Sequence, residues 1–426
     1  MSTDKNKLIP ELRFPEFLEE GEWEEKTLDD ICKLVRGPFG GSLKKEIFVK
    51  DGYSVYEQSH AIYSDFSSFR YRIDDEKFSE LKRFMVKSGD LIMSCSGTMG
   101  KFAMIPKNYE KGVINQALLK LTVKTDYDNL FIKISLETDH NQDRLLSQSA
   151  GGAIKNVVSV SQIKELGLAV PNPQEQQKIA SCLSSLDEVI AAQSQKLATL
   201  KDHKKGLMQN LFPTNSITND ELEITNVPNY RFPEFLEDGD WVVKKLGDKE
   251  VSYFVNEKTS VDKLNINSYV STENMLPEFS GISTSSKLPS LGNFTKFKNG
   301  DILISNIRPY LKKVWKADKI GGASNDVLVF RSGSEVLSEF LECIIKNEAF
   351  INYVMEGAKG VKMPRGDKDY MQKYIVFIPS KMEQQKIASC LSSLDELITA
   401  QTEKIAQLKL HKKGLMQGLF PGSITN

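Results

Sequence analysis

The segment of this chain closest to a phosphate-binding loop is Ser94-Cys95-Ser96-Gly97-Thr98-Met99-Gly100-Lys101. It follows the strand-length apolar run Leu91-Ile92-Met93, and its small residues would let the backbone approach a phosphate while Lys101 adds charge. It lacks the full G-x-x-x-x-G-K-[ST] pattern and continues with Phe102, so an ordinary β-turn accounts for it equally well. Glu24-Glu25-Lys26 has the Glu-x-Lys half of a nuclease motif, but a chain with 27% charged residues produces such triplets freely. An adenine methylase would need an Asn/Asp-Pro-Pro-Tyr/Phe segment and a glycine-rich loop for S-adenosylmethionine, and the sequence has neither. Four scattered histidines (His60, His140, His203, His411) give no zinc pattern. Five cysteines (Cys32, Cys95, Cys182, Cys343, Cys390) without a C-x-x-C pair suit reduced thiols in a cytoplasm better than a disulfide framework.

Recognition chemistry is better represented than catalysis. Arg and Lys pair with guanine, and Asn and Gln with adenine, in base readout. In the first half of the chain the candidates are Arg36, Lys44 and Lys45 around the loop Gly37-Pro38-Phe39-Gly40-Gly41-Ser42, then Gln58, Arg70, Arg72, Lys101, Gln116 and Lys155. In the second half they are Lys258, Asn306, Arg308, Lys312, Lys313, Lys362, Arg365 and Lys368. Any one of them is also an ordinary solvated charge. As a group they matter because the chain balances 56 Lys and Arg against 57 Asp and Glu, so a polyanion could be held only by local concentration of positive charge.

The elements that must position these side chains come in duplicate. Residues 174–213 and 382–421 are identical at 31 of 40 positions, with an offset of 208. A shorter repeat opens each half: Arg13-Phe14-Pro15-Glu16-Phe17-Leu18-Glu19 with Trp23 returns as Arg231-Phe232-Pro233-Glu234-Phe235-Leu236-Glu237 with Trp241. Between these anchors the halves diverge, although Ser88-Gly89-Asp90-Leu91-Ile92-Met93-Ser94 still matches Asn299-Gly300-Asp301-Ile302-Leu303-Ile304-Ser305. A shared frame with differing bodies suits two readers of different things. The repeated aromatics could stack on bases, but identity in two differently reading bodies favours a structural role, capping a core or a helix.

In the first long repeat Ile179, Leu183, Leu186, Ile190, Gln193, Leu197, Leu200, Lys204, Leu207 and Leu211 follow alternating steps of four and three, the spacing of a coiled-coil seam. Ile387, Leu391, Leu394, Ile398, Gln401, Ile405, Leu408, Lys412, Leu415 and Leu419 repeat it. Gln193 with Gln401, and Lys204 with Lys412, are polar seam positions suited to fixing register. Lys204, Lys205, Lys412 and Lys413 also fit helix-end or partner-facing charge. The first helix, Glu175 to Leu211, would be about 55 Å long, whereas the 14-residue linker Thr214 to Val227 reaches at most ~46–50 Å. The second body is therefore expected at the far end of the first helix, with its own helix running back antiparallel along a rod of approximate two-fold symmetry.

An apolar strand and proline, then Glu175-Gln176-Gln177-Lys178-Ile179 leading into a long helix closed by Gly206-Leu207-Met208-Gln209-Asn210-Leu211-Phe212-Pro213, resembles the specificity subunit of type I restriction-modification enzymes. The second copy (Glu383 to Ile387, Gly414 to Pro421), the openers and the Gly-Asp-Leu-Ile and Gly-Asp-Ile-Leu strands carry the same marks, so the resemblance covers nearly the whole chain. It implies a non-catalytic chain whose two target-recognition domains each read one half of a bipartite duplex DNA target. It also implies two modification subunits that methylate adenine with S-adenosylmethionine, and restriction subunits that are ATP-driven translocases and nucleases, with ATP and Mg. This chain itself would hold no cofactor and no metal.

The expected fold is α+β: two tandem globular target-recognition domains joined by two long helices forming an antiparallel coiled coil. Residues 1–171 form the first domain, 172–213 the central repeated helix, 214–227 the linker, 228–379 the second domain, and 380–426 the C-terminal repeated helix and tail. With 40% hydrophobic residues and a mean hydropathy of -0.34 the chain is expected to be globular. No apolar run reaches the roughly 20 residues of a membrane span, and the N-terminus lacks a secretory signal, which together suggest a cytoplasmic protein. Two readings from other classes stay open at this level: a scaffold whose bodies bind proteins, and a nuclease or methylase in its own right.

Overall fold

In a computed structural model, the structure describes residues 8–147, 159–213, 215–218, 221–224 and 226–422. Two compact units result, one of Met1–Ser194 with Lys404–Asn426, the other of Gln195–Glu403. The two long helices, Pro173–Asn210 and Lys381–Leu419, each start in one unit and end in the other.

In the first unit, the fully buried strand Leu91–Ser94 lies inside an antiparallel four-stranded sheet. The order is Cys32–Arg36, Leu118–Val123, Leu91–Ser94, Phe102–Met104. A short apolar run, rather than alternation, is what a strand covered on both faces requires. The turn before it explains the Gly-Asp repeat. Gly89 takes φ +84, and Asp90 closes the turn by accepting the Lys87 backbone N–H at 2.8 Å. A three-stranded sheet (Arg72–Ile73, Tyr53–Tyr56, Gly112–Ile114) packs beside it, with Tyr53–Tyr56 parallel to Gly112–Ile114.

The second unit keeps the scheme although its sequence differs. Its four-stranded sheet runs Ser252–Phe254, Val327–Ser332, Ile302–Ser305, Val314–Lys316. Gly300 takes φ +86, and Asp301 accepts the Lys298 N–H at 2.8 Å. A second sheet runs Lys258–Ser260, Asn293–Phe297, Gly321–Ala323, Tyr269–Val270, again with one parallel pair. In each unit a two-stranded ribbon joins the opener to the strand before the long helix: Glu24–Thr27 with Gly167–Val170, and Val242–Lys245 with Ile375–Ile378.

The repeated residues build the junction of opener and helix. Arg13 donates through Nε and Nη2 to both carboxylate oxygens of Glu175, at 2.8 and 2.7 Å. Arg231 does the same to Glu383, both at 2.8 Å. In each pair the side chains are only 5% and 1% exposed. The neighbouring Gln176 accepts from the Asp128 N–H at 2.9 Å, and Gln384 from the Leu337 N–H at 2.9 Å, so each helix start also holds a helix of its body. Lys178 reaches Glu16 and Lys386 reaches Glu234, each at 2.8 Å. Trp23 is buried edge-on against Phe420 and Phe131, and Trp241 edge-on against Phe212 and Phe340. These tryptophans cap cores and are not free to stack on bases.

Along both helices the expected seam is the least exposed stripe. Ile179, Leu183 and Leu211 are buried, with Leu186, Ile190, Gln193, Leu197, Leu200, Lys204 and Leu207 half-buried between exposed neighbours. Ile387, Leu391, Gln401, Ile405 and Leu419 are buried, with Leu394, Ile398, Leu408, Lys412 and Leu415 half-buried. Within the first unit the start of one helix meets the end of the other: Ile179 and Leu183 share a core with Leu415 and Leu419, and Lys412 binds Asp187 at 2.6 Å. Within the second unit Ile387 and Leu391 share a core with Leu207 and Leu211, and Lys204 binds Asp395 at 2.6 Å. The helices are therefore antiparallel in each unit. Lys204 and Lys412 face the other helix and do not wait for an outside partner. Lys413 lies 3.3 Å from Asp139 and Lys205 3.9 Å from Glu348.

All five thiols are free. Burial pushes Cys32 and Cys343 up to about 12 and Cys95 up to about 11, so they stay protonated and unreactive near neutrality.

Arg231→Met leaves the Glu383 carboxylate buried alone and should cost about 3–5 kcal/mol of the second unit's stability in chemical denaturation, with Arg231→Met/Glu383→Leu regaining most of it; an unchanged midpoint in the single variant would show that the pair does not hold the junction. Thiol titration of the native protein at pH 8 should label Cys182 and Cys390, half-buried on the helices, and reach five only after denaturation. Fast labelling of Cys32, Cys95 or Cys343 would contradict their burial.

Candidate nucleic-acid interface

The first unit brings four of its candidates, Arg36, Gln58, Lys101 and Gln116, to one edge of the four-stranded sheet. Arg36 ends its strand opposite Leu119. The chain then turns so closely that a Cβ on Gly37 would sit 1.8 Å from the Asn115 carbonyl oxygen, and the Gly37 N–H bonds the Leu118 carbonyl at 3.0 Å. Cys95 N–H bonds the Ala117 carbonyl at 2.8 Å. Loops 37–42, 95–101 and 115–117 therefore leave the same edge. Loop 95–101 is a closed hairpin turn: Ser94 and Lys101 are joined by backbone and side-chain bonds of 2.9 and 3.0 Å, and Gly97 and Gly100 take φ +60 and +73. Gln58 is its clamp, accepting from the Ser96 hydroxyl at 2.8 Å and donating to the Ser96 carbonyl and to the Thr98 carbonyl.

That places the candidates as follows. Lys44, Lys45, Lys101 and Gln116 are exposed. Arg36 is half-buried, with Nη1 enclosed and without a hydrogen-bond partner. Arg70 is exposed and lies over the Tyr71 ring, 4.9 Å from its centroid. Arg72 is spent inside the unit: its Nη1 binds Glu110 at 2.6 Å and the Ser54 hydroxyl at 3.0 Å, which holds the Glu110 carboxyl below its ordinary range. Lys155 lies outside the described residues. Glu24-Glu25-Lys26 is a strand in which Lys26 pairs with Glu24 at 2.7 Å.

The corresponding edge of the second unit carries a different arrangement. Asn306 follows the strand Ile302–Ser305, and its N–H bonds the Asp326 carbonyl at 2.8 Å. Arg308 and Lys312 both take left-handed backbone, φ +51 and +53. The Arg308 N–H bonds the Pro364 carbonyl at 2.8 Å, while Lys359 and Arg365 exchange two backbone bonds of 2.9 Å. Arg308, Lys362, Arg365 and Lys368 are exposed; Arg365 also reaches Asp326 at 2.9 Å, and Lys368 lies over the Phe254 ring. Lys258 is exposed on its strand and touches the Thr295 hydroxyl at 3.2 Å. Lys312 is held by Glu348 at 2.9 Å and Glu278 at 3.4 Å, the Glu348 hydrogen bond chiefly raising its pKa. Lys313 donates to the Thr272 carbonyl at 2.7 Å, and the Asn306 Oδ1 is buried without a partner.

Among the described residues no three His, Cys, Asp or Glu side chains come together to hold a metal, and no helix is long and apolar enough to cross a membrane. Both sheet edges offer basic and amide side chains on loops pinned by backbone bonds, an arrangement for binding. Sequence reasoning did not single out the Arg13–Glu175 and Arg231–Glu383 pairs, although both partners stand in the repeats.

Residues 20–202 and 239–410 match the model of the type I restriction modification DNA specificity domain. The chain belongs to that family. As a specificity subunit with two target-recognition domains it is a recognition component, not a catalyst. It is similar to the type I restriction enzyme MjaVIII specificity subunit of Methanocaldococcus jannaschii, at 23% identity covering 97% of this chain and 94% of that one. A putative MjaX specificity subunit of the same organism is also 23% identical, over 95% of this chain and 94% of that one. Among solved structures, the type I restriction-modification S subunit from M. genitalium has the same fold, with a TM-score of 0.59 at 18% identity, covering 97% and 99% of the two chains. The specificity subunit described here therefore carries one recognition scaffold twice.

Removing the Gln58 clamp of loop 95–101 tests its rigidity. Gln58→Ala should speed amide hydrogen exchange at Gly97 to Gly100 by about tenfold or more while leaving strand Leu91–Ser94 protected; unchanged exchange would show that the backbone alone holds the loop.

Proposed function

We propose that each unit reads one half of a bipartite duplex DNA target through the loops at its four-stranded sheet edge. The observation that supports this most is one framework used twice with different side chains at the same edge: Lys101, Gln116 and Arg36 in one unit, Arg308, Lys362 and Arg365 in the other. Exposed Lys and Arg would bind phosphates and set register, while a smaller set of side chains contacts base edges. The paired helices would set the unspecified spacer and dock two modification subunits. Methyl transfer to adenine from S-adenosylmethionine, and ATP- and Mg-dependent translocation and cleavage by restriction subunits, would be carried out by those partners in the cytoplasm.

Arg72 and Lys312 are poor phosphate ligands in this reading, because each is already neutralised by a carboxylate of its own unit. Arg308, Lys362 and Lys101 are better ones.

Salt dependence separates DNA reading from a protein-binding scaffold. The chain co-expressed with its modification subunits should bind duplex DNA with log affinity falling linearly in log salt, about −0.9 per phosphate contact, and Lys101→Ala or Lys362→Ala should each reduce the slope by about one contact. A flat response would contradict the proposal. The purified chain alone, given S-adenosylmethionine and DNA, should transfer no methyl group.

A further inference from the structure

The second unit presents a finger that the bipartite reading does not by itself explain. Residues 359–365 form a hairpin closed by the paired Lys359 and Arg365 backbone bonds of 2.9 Å. Its base is tied twice to the loop that follows strand Ile302–Ser305: Arg308 N–H to the Pro364 carbonyl at 2.8 Å, and Gly366 N–H to the Asn306 carbonyl at 3.1 Å. Arg365 adds the 2.9 Å pair with Asp326, and Lys359 a 2.5 Å pair with Asp367. Gly360 supplies the left-handed bend at φ +92. At the tip, Val361 is 103% exposed and Met363 49% exposed, with Lys362 exposed between them.

A loop tied down by backbone bonds that holds two apolar side chains in water beside a cationic one gains nothing from them in the free protein. Burial against a ligand would remove that apolar surface from water. The ligand must also suit the exposed Lys362 at the tip and the exposed Arg308 near the base. Duplex DNA meets both demands, and its major groove, wide enough for a helix or a two-stranded ribbon, admits a narrow loop closed by a single bridge. Val361 can neither donate nor accept a hydrogen bond, so the group it can distinguish there is the 5-methyl of thymine, the apolar feature of the major-groove edges.

We propose that the 359–365 finger enters the major groove of the half-site read by the second unit, and that Val361 selects a thymine there by its 5-methyl group while Lys362 holds an adjacent phosphate. This rests on the reading of each unit as a half-site reader. It makes Val361 a specificity-determining residue without hydrogen-bonding capacity.

The test uses the chain with its modification subunits and duplexes carrying the bipartite motif read from methylation mapping. Each thymine of the half-site assigned to the second unit is replaced in turn by deoxyuridine, which removes only the methyl group. The unsubstituted complex should lose about fourfold in affinity at one such position, the equivalent of one buried methyl. The Val361→Ala complex should bind the thymine and deoxyuridine duplexes within twofold of each other, with recognition of the other half-site intact. Lys362→Ala should weaken binding to all duplexes alike and keep the thymine preference. Absence of any sensitive thymine in that half-site, or a preference that survives in Val361→Ala, would overturn the proposal. Failure of the unsubstituted complex to prefer the motif over a scrambled duplex would instead remove the half-site reading itself, and the finger with it.

Discussion

The buried guanidinium–carboxylate pair at the foot of each long helix is the constraint on which the rest of the molecule depends. Arg13 and Arg231 come from the opening segments, Glu175 and Glu383 from the first turns of the helices, and each pair is bidentate and nearly inaccessible to water. Two parallel hydrogen bonds fix direction as well as distance. The remaining Nη1 of each arginine is used as well, on the Glu20 carbonyl at 2.7 Å and the Gly239 carbonyl at 2.6 Å. An ion pair this deep is stable only when its hydrogen bonds are complete, so the opener, the helix start and the turn between them have to form together. The adjacent glutamine then ties that helix start to the body. These few contacts hold each body against its helix start.

The division of the sequence into repeated and variable parts has a physical counterpart. Repeated residues close the Gly-Asp turn or build the helices and their junctions: the Arg–Glu pairs, the buried tryptophans against Phe420 and Phe212 just past the helix ends, and the cross-helix Lys412–Asp187 and Lys204–Asp395 pairs. Variable residues are those that leave the sheet edge. Both bodies keep the same four-strand order, because the central strands need only short apolar runs bounded by the Gly-Asp turn. A scaffold that asks so little of its strands leaves the loops free to change, which is what a recognition component with two different readers requires.

The helices and their seam were legible in the sequence because four-and-three periodicity extended over forty residues and occurred twice. The openers were legible as repeats, and their tryptophans as structural, since two different readers shared them. Strand order was not legible: four-residue apolar strands such as Leu91–Ser94 and Gly167–Val170 carry no alternation, and their pairings reach Leu121 and Glu24, far along the chain. The candidate reading residues were chosen by type, and type does not say which acid folds beside a cation. Arg72 is neutralised by Glu110, 38 residues on, and Lys312 by Glu348, 36 residues on. Among the described residues no ion pair holds Lys101, Arg308 or Lys362, and nothing in their types separated them from Arg72 or Lys312 beforehand. The finger at 359–365 was visible only as isolated basic residues, because its rigidity comes from backbone bonds to Asn306 and Arg308.

The most direct test of the account is methylation-site mapping by long-read sequencing in host cells with the gene present, deleted, and carrying another family member's segment in place of residues 1–171. The account predicts a bipartite methylated motif that disappears on deletion and changes in only one of its halves on exchange. A motif that persists without the gene, or both halves changing when one body is exchanged, would contradict it.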